Sequence, residues 1–71
     1  EYVSRETRKQ VQQLVDHLPD SLRQVVILSS FEDLSYDEIA QILNLPIGTV
    51  SSRLHAARKK LLQQFREHDI L

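Results

Sequence analysis

The chain has 71 residues, which is enough for one domain that buries about 60% of its unfolded surface and too few for a deep catalytic cleft. It contains no cysteine, which excludes disulfides, thiolate metal ligands and cysteine nucleophiles, and its net charge is -1. No apolar stretch is long enough to span a bilayer and no secretory signal pattern opens the sequence, so we expect a soluble, cytoplasmic domain.

Two helices are predicted in the first half of the chain. The first begins after Ser4, its candidate N-cap, and has apolar residues at helical spacing: Val11, Leu14, Val15 and Leu18. Pro19 and Asp20 begin the second helix, because proline suits the first helical turn and aspartate suits the positive end of a helix. The apolar residues of this helix occupy more than one face, which predicts that it is the packed centre: Leu22, Val25, Val26, Ile27, Leu28 and Phe31. A buried strand over VVIL is rejected because no second strand exists to pair with it.

Two further helices are predicted in the second half. Ser35 and Glu38 have the spacing of a capping box, so the third helix begins at about Tyr36. Its apolar residues are Ile39, Ala40, Ile42 and Leu43. Asn44 suits the left-handed conformation that ends a helix, and Pro46 suits the first turn of the fourth helix. That helix, over about residues 46–65, has one apolar stripe: Ile47, Val50, Leu54, Ala57, Leu61 and Phe65.

A short helix, a three- or four-residue turn and a longer helix make a helix-turn-helix, whose second helix enters the major groove of DNA. The small side chain of Ala40 suits the position where the two helices cross, and Val50 suits an anchor to the core. The alternative is an ordinary antiparallel helical hairpin. The predicted fold class is therefore all-α, a four-helix domain with a C-terminal helix-turn-helix.

Charge is unevenly distributed along the chain. Residues 39–66 contain Arg53, Arg58, Lys59, Lys60 and Arg66 and no acidic residue. Such a segment is typical of a surface that binds a polyanion, and equally of a solvated helix face.

The face of the fourth helix opposite its apolar stripe carries small residues and cations. A helical wheel places Gly48, Thr49, Ser52, Ala56, Lys59 and Gln63 on this arc, flanked by Ser51, Arg53, His55 and Lys60. Small side chains let a helix backbone approach another surface closely, and helix N-termini attract phosphates. We interpret the arc as a DNA-binding surface.

Individual roles follow from side-chain chemistry. Arg53 is a candidate for a guanine or a phosphate, and Arg58, Lys59 and Lys60 are candidates for phosphates. The hydroxyls of Thr49, Ser51 and Ser52 either contact DNA or satisfy the first turn of their own helix. His55 is a candidate DNA contact or an ordinary surface histidine. Tyr36, beside Ser35, either touches the DNA backbone or packs over the turn.

Residues 18–61 resemble region 4 of bacterial sigma factors, in particular the extracytoplasmic-function group. The resemblance rests on the sequence motifs LP, LSYDEIA, PIGTV and SRLHAAR, which occur in the same order as in the family. It implies that helix four recognises the minus-35 promoter element while the flap of the RNA polymerase core holds the domain, and that an anti-sigma factor is a possible further partner. Because the sequence begins with glutamate and lacks methionine, we expect residues 1–71 to be a single domain cut from a longer protein.

The resemblance also carries individual residues. Pro46, Gly48 and Thr49 match the start of the family's recognition helix, residues 52–55 match SRLH, and Arg58 matches the arginine that follows. Two positions depart from the family. Members commonly have a lysine or arginine at the position of Ser51 and an arginine at that of Ala56, so we expect an altered promoter sequence or weaker DNA binding by this domain alone.

Other functions find less support in the sequence. No catalytic constellation or small-molecule site is apparent, so we predict that the protein is not an enzyme and needs no cofactor. His17 and His68 lack partners at ligand spacing, which argues against a metal site. Two alternatives stay open: a LuxR-type helix-turn-helix output domain, and a helical module that binds a partner protein through its first two helices without binding DNA.

Overall fold

The computed structural model describes residues 4–67, which form four α-helices and no strand. The helices are α1 (Arg5–Asp16), α2 (Asp20–Val26), α3 (Tyr36–Leu43) and α4 (Ile47–Glu67), and a π-helical segment (Ile27–Phe31) continues α2. This confirms the predicted all-α class. None of the helices in this part of the chain combines the length and the hydropathy needed to cross a membrane.

The helix boundaries follow from local signals in the sequence. The Ser4 hydroxyl accepts a hydrogen bond from the Thr7 N–H at 3.1 Å, which confirms it as the N-cap of α1. Arg23 joins α1 to α2, because it donates to the carbonyl of Asp16 at 3.1 Å and pairs with the carboxylate of Asp20. The first two helices are thus connected by side-chain contacts as well as by apolar packing.

The hydrophobic core lies where α1, α2 and α3 meet α4. Its buried residues come from all four helices and the first interhelical turn: Val15, Leu18, Val25, Val26, Ile39, Val50, Leu54 and Ala57. Since α4 packs against each of the other three helices, it shares the central position that the sequence predicted for α2 alone. The core therefore fixes α4 by one face and leaves its opposite face at the surface.

Three residues predicted to be apolar contacts are largely exposed: Phe31 by 49%, Ile42 by 59% and Ile47 by 47%. A π-helix has more residues per turn than an α-helix, so the α-helical spacing that assigned Phe31 to the packed side does not hold in its segment. Ile42, three residues after the fully buried Ile39, lies at the exposed edge of the buried side of α3, and Ile47 precedes Val50, the first core residue of α4.

The end of the π-helical segment turns the chain toward α3. The Glu32 N–H donates to the carbonyl of Ile27 at 3.0 Å, and the Leu34 N–H donates to that of Leu28 at 3.0 Å. Asp33 between them has a φ of 58°, in the left-handed region that usually favours glycine. This turn places the start of α3 beside α4.

Candidate nucleic-acid interface

The third and fourth helices form a helix-turn-helix with a three-residue turn, residues 44–46. Asn44 adopts the left-handed conformation predicted for it, with a φ of 56°. The N–H groups of Asn44 and Leu45 both donate to the carbonyl of Ala40, which closes α3 and redirects the chain. Ala40 is half-buried against the core, and Val50 is fully buried. The prediction of a helix-turn-helix is confirmed, and the helical-hairpin alternative is not supported.

The exposed face of α4 carries most of the predicted DNA-binding residues. Val50, Leu54 and Ala57 lie on the buried side of this helix. On the exposed surface of α4 or at the start of α3 lie nine candidates: Ser35, Gly48, Ser51, Ser52, His55, Ala56, Arg58, Lys59 and Lys60. Tyr36, Thr49 and Arg53 are half-buried at the edges of this surface. We call it the α4 face, and its role in DNA binding stays a prediction.

The α4 face is electrostatically one-sided. From Ile47 to Arg66 the helix has five cations and no acid, and Glu67 follows at its last position. Within residues 4–67, the lysine and arginine side chains of α4 have no carboxylate within 4.0 Å, and the ion pair found there joins Arg23 to Asp20 on α2. The positive charge of α4 is therefore not neutralised by neighbouring carboxylates of the described chain.

Gly48 occupies the first turn of α4 without a structural need for glycine. Its φ is not positive, and a Cβ added there meets no atom within 4 Å. Glycine in a helix costs about 0.5–1 kcal/mol relative to alanine. The described structure therefore shows no backbone or packing need for glycine at this position, which agrees with the predicted close approach of DNA to the helix backbone.

The alternative that the hydroxyls of α4 serve their own helix is supported for one of them. The Ser52 hydroxyl donates to the carbonyl of Thr49 at 3.1 Å. Its oxygen keeps lone pairs that can accept from a DNA base. Ser52 is thus an acceptor for an external donor, and a poorer donor to phosphate than the sequence suggested.

The start of α3 is closed by its own side chains. The Ser35 hydroxyl accepts from the Glu38 N–H at 3.2 Å, and the Glu38 carboxylate accepts from the Ser35 N–H at 2.8 Å. Hydrogen bonds from Ser35 to the Glu38 carboxylate hold the pKa of Glu38 below its usual range. The bond from the Ser35 backbone has the larger effect, and the bond from its side chain has the smaller one. The predicted capping box is confirmed, and the Ser35 oxygen already has one donor.

Tyr36 contacts α4 in a way that the sequence did not predict. Arg58 donates from its guanidinium to the Tyr36 hydroxyl at 3.4 Å. Tyr36 is half-buried and packs against the core, so the packing interpretation of this residue is supported. The contact joins residues 22 positions apart, and no local spacing rule reports such a pair.

A second surface of the molecule is apolar. Phe31 lines a groove of about 470 Å³ together with Arg8, Val11 and Gln12, so the groove lies between α1 and the π-helical segment. Sequence reasoning placed Phe31 inside the domain and missed this groove. Its position on the first two helices agrees with the alternative hypothesis of a protein-binding surface.

No group of three or more histidine, aspartate and glutamate side chains within residues 4–67 is arranged to hold a metal ion. The Nδ1 of His17 donates to the carbonyl of Gln13 at 2.7 Å, which gives this residue a local structural role. His68 lies outside the described residues.

The chain is similar to known proteins over most of its length. The family model described as "Sigma-70, region 4" matches residues 8–61. The ECF RNA polymerase sigma factor SigW of Bacillus subtilis (strain 168) is 43% identical over 65 residues, which are 92% of this chain and 35% of that protein. The ECF RNA polymerase sigma-E factors of Escherichia coli (strain K12) and Salmonella typhi are each 41% identical over 59 residues, which are 83% of this chain and 31% of theirs. The chain spans about a third of the length of the curated relatives it matches.

Proposed function

This chain belongs to the Sigma-70, region 4 family, and from that membership we propose that it recognises the minus-35 promoter element as part of an RNA polymerase sigma factor. The single observation that carries the proposal is the α4 face, an exposed, acid-free helix face within a helix-turn-helix. The proposal includes no catalytic step. Family membership decides against the LuxR-type alternative.

The α4 face suits the major groove because its cations surround small side chains. Gly48, Ser52 and Ala56 leave the helix backbone accessible, so base edges and phosphates can approach it. Arg58, Lys59 and Lys60 are suited to phosphates, whose contacts position a protein on DNA without specifying sequence. Arg53, at the half-buried edge, is suited to a guanine or a phosphate.

Sequence selection from random DNA tests this proposal. The 71-residue chain is incubated at low salt with short duplexes that contain a random central segment, and bound duplexes are amplified and sequenced. We expect one short motif to be enriched, because a recognition helix contacts base edges over a few base pairs. Binding without enrichment would contradict promoter recognition, since it would leave only contacts to phosphates.

Two substitutions separate base contacts from phosphate contacts. Lys59→Ala should weaken binding to all sequences. It should also reduce the slope of log affinity against log salt concentration by about one. Arg53→Ala should relax base preference at one position of the selected motif if Arg53 contacts a base. A changed base preference in Lys59→Ala would contradict its assignment to phosphate.

We propose further that the RNA polymerase core holds the domain through its flap at the groove lined by Phe31, Val11, Arg8 and Gln12. Exposed aromatic side chains are enriched in protein interfaces, and Phe31 has no role in the core. An anti-sigma factor that covered this groove would compete with the polymerase. Both partners meet the domain in the cytoplasm.

Capture of purified polymerase core on the immobilised chain tests the groove. Phe31→Ser should reduce capture about tenfold, in the range of an interface aromatic residue. Ile42→Ser, at an exposed apolar residue outside the groove, is the matched control and should leave capture unchanged. Capture of Phe31→Ser at the level of both Ile42→Ser and the wild type would exclude the groove as the polymerase site.

A further inference from the structure

The hydrogen bond between Tyr36 and Arg58 differs from the other side-chain hydrogen bonds of residues 4–67. It joins residues 22 positions apart, whereas the others join residues at most seven positions apart. It connects the first residue of α3 to the middle of α4, and therefore the two helices of the helix-turn-helix. Arg23 also joins two helices, but through a backbone carbonyl of the neighbouring helix end, whereas the Tyr36–Arg58 bond joins two side chains across two helices.

The two partners differ in how firmly they are held. Tyr36 is half-buried against the core, and the capping box at Ser35 and Glu38 fixes the backbone beside it. Arg58 is exposed on α4, and a free arginine side chain samples many rotamers. The Tyr36 hydroxyl is thus the fixed partner, and it selects among the positions that the guanidinium can reach.

A hydroxyl positions an arginine without neutralising it. No carboxylate of the described residues lies within 4.0 Å of the Arg58 guanidinium, so its charge stays available to an anion. The guanidinium has five N–H donors, of which the contact with Tyr36 uses one. A carboxylate in the place of the hydroxyl would also orient the side chain, but it would compete with a phosphate for the same charge.

We propose that Tyr36 is a positioning residue for Arg58, which it holds ready for a DNA phosphate at the junction of α3 and α4. This inference rests on the proposed function, because the phosphate belongs to the DNA that α4 binds. It makes the start of α3 part of the interface through Arg58. An ordered arginine loses less conformational entropy on binding than a free one, so the contact should increase affinity.

A double-mutant cycle tests the inference. The affinities of the wild-type chain, Tyr36→Phe, Arg58→Ala and the double variant are measured at low salt with a pool of short mixed-sequence duplexes. We expect Tyr36→Phe to weaken binding about two- to tenfold in the wild type and to have no further effect when Arg58 is alanine. Combined with Lys59→Ala, the effect of Tyr36→Phe on affinity should be additive, because the side-chain hydrogen bond of Tyr36 within residues 4–67 goes to Arg58 and not to Lys59. All variants should unfold at the wild-type temperature.

The contradicting results are distinct. If Tyr36→Phe weakens binding equally with and without Arg58, then Tyr36 contacts DNA directly and the positioning role is wrong. If Tyr36→Phe leaves wild-type affinity unchanged, the hydrogen bond has no role in binding. If the DNA affinity of Tyr36→Phe falls only because the variant unfolds at a lower temperature, Tyr36 has a structural role instead.

A measurement without DNA separates this inference from the proposed function. The Nη–H resonances of Arg58 in the free protein, where Nη1 donates to the Tyr36 hydroxyl, should change in Tyr36→Phe toward those of an unrestrained guanidinium, and those of Arg53 should not. An unchanged Arg58 resonance overturns the positioning role whatever the DNA results are. If the Arg58 resonance responds as expected but the folded wild type binds no duplex, the proposed function fails instead.

Discussion

The starts of α3 and α4 lie in the same helix-turn-helix and are built in opposite ways. At α3, Ser35 and Glu38 complete a capping box, and Asp37 adds a negative charge at the positive end of the helix. At α4 the preceding residue is Pro46, whose ring has no hydrogen-bonding atom, and its carbonyl accepts from the N–H groups of Thr49 and Val50. The first acidic residue of α4 is Glu67, at its other end.

This difference indicates that the start of α3 serves the fold, whereas the start of α4 is suited to binding a partner. An anion from the chain itself already occupies the positive end of α3, so that end gains little from an external phosphate. The positive end of α4 receives no anion from its own first turn, and the following turns carry cations and small residues. We infer that the start of α3 is already satisfied by its own side chains and that DNA binds at α4.

The largest expected effect is on DNA affinity at Arg53, about two turns into α4. Arg53→Ala should weaken binding to a selected duplex by about 1–3 kcal/mol if the guanidinium contacts a guanine, since bidentate base contacts have this magnitude. Fluorescence anisotropy with a labelled duplex measures the change. Arg5→Ala, which removes an exposed cation of α1, is the control and should have little effect. Unchanged affinity in Arg53→Ala would exclude the base contact.

Introducing an N-cap acceptor at the start of α4, like the one at the start of α3, tests the comparison directly. Pro46→Ser and Pro46→Asp both introduce an N-cap acceptor, and the loss of proline rigidity partly offsets the gain in helix stability. Only the aspartate places a negative charge where DNA is proposed to bind. We therefore expect Pro46→Asp to bind duplex DNA about five- to tenfold more weakly than Pro46→Ser at low salt. Equal affinities would mean that the start of α4 lies away from DNA.

Gly48 tests whether the small residues of α4 provide clearance for DNA. Gly48→Ala should raise the free energy of unfolding by about 0.5–1 kcal/mol, because alanine favours the helix and the added Cβ meets no neighbour. The same change should weaken DNA binding severalfold if a base or phosphate approaches the helix backbone there. Chemical denaturation and duplex titration on one protein preparation measure both effects. A more stable variant with unchanged affinity would argue against clearance at this position.

The smallest expected effect is on the stability of the domain at acidic pH, through the capping box at the start of α3. Since its folded-state pKa is lowered, the Glu38 carboxylate stabilises the domain above its unfolded pKa, and this contribution is lost as the pH falls through the folded pKa. Glu38→Gln should remove that part of the pH dependence of thermal unfolding. Glu32→Gln, outside the capping box, is the control. Identical acid profiles for wild type and Glu38→Gln would contradict a closed α3 start that depends on the carboxylate.

Helix starts and ends were predictable because their signals are local. Ser4, the Ser35–Glu38 pair and Asn44 all adopt the capping conformations that their positions in the sequence indicated. The α4 face was predictable too, because a straight helix with one apolar stripe leaves its opposite side at the surface.

Packing between helices and departures from α-helical geometry were not predictable from spacing. The π-helical turns changed the direction of Phe31, and the short α3 buries only the side that includes Ile39. The contact of Tyr36 with Arg58 depends on how α3 and α4 cross, which is a property of the assembled core.

Backbone amide NMR during titration with mixed short duplexes at low salt tests the central claim most directly, because it detects weak binding and locates it. We predict shifts concentrated at residues 35–36 and 46–60, with smaller changes along α1. Absence of shifts in those two ranges at high duplex concentration, with the domain folded, would contradict DNA binding by the α4 face. It would agree instead with the weaker DNA binding by this domain alone that the sequence predicts from Ser51 and Ala56.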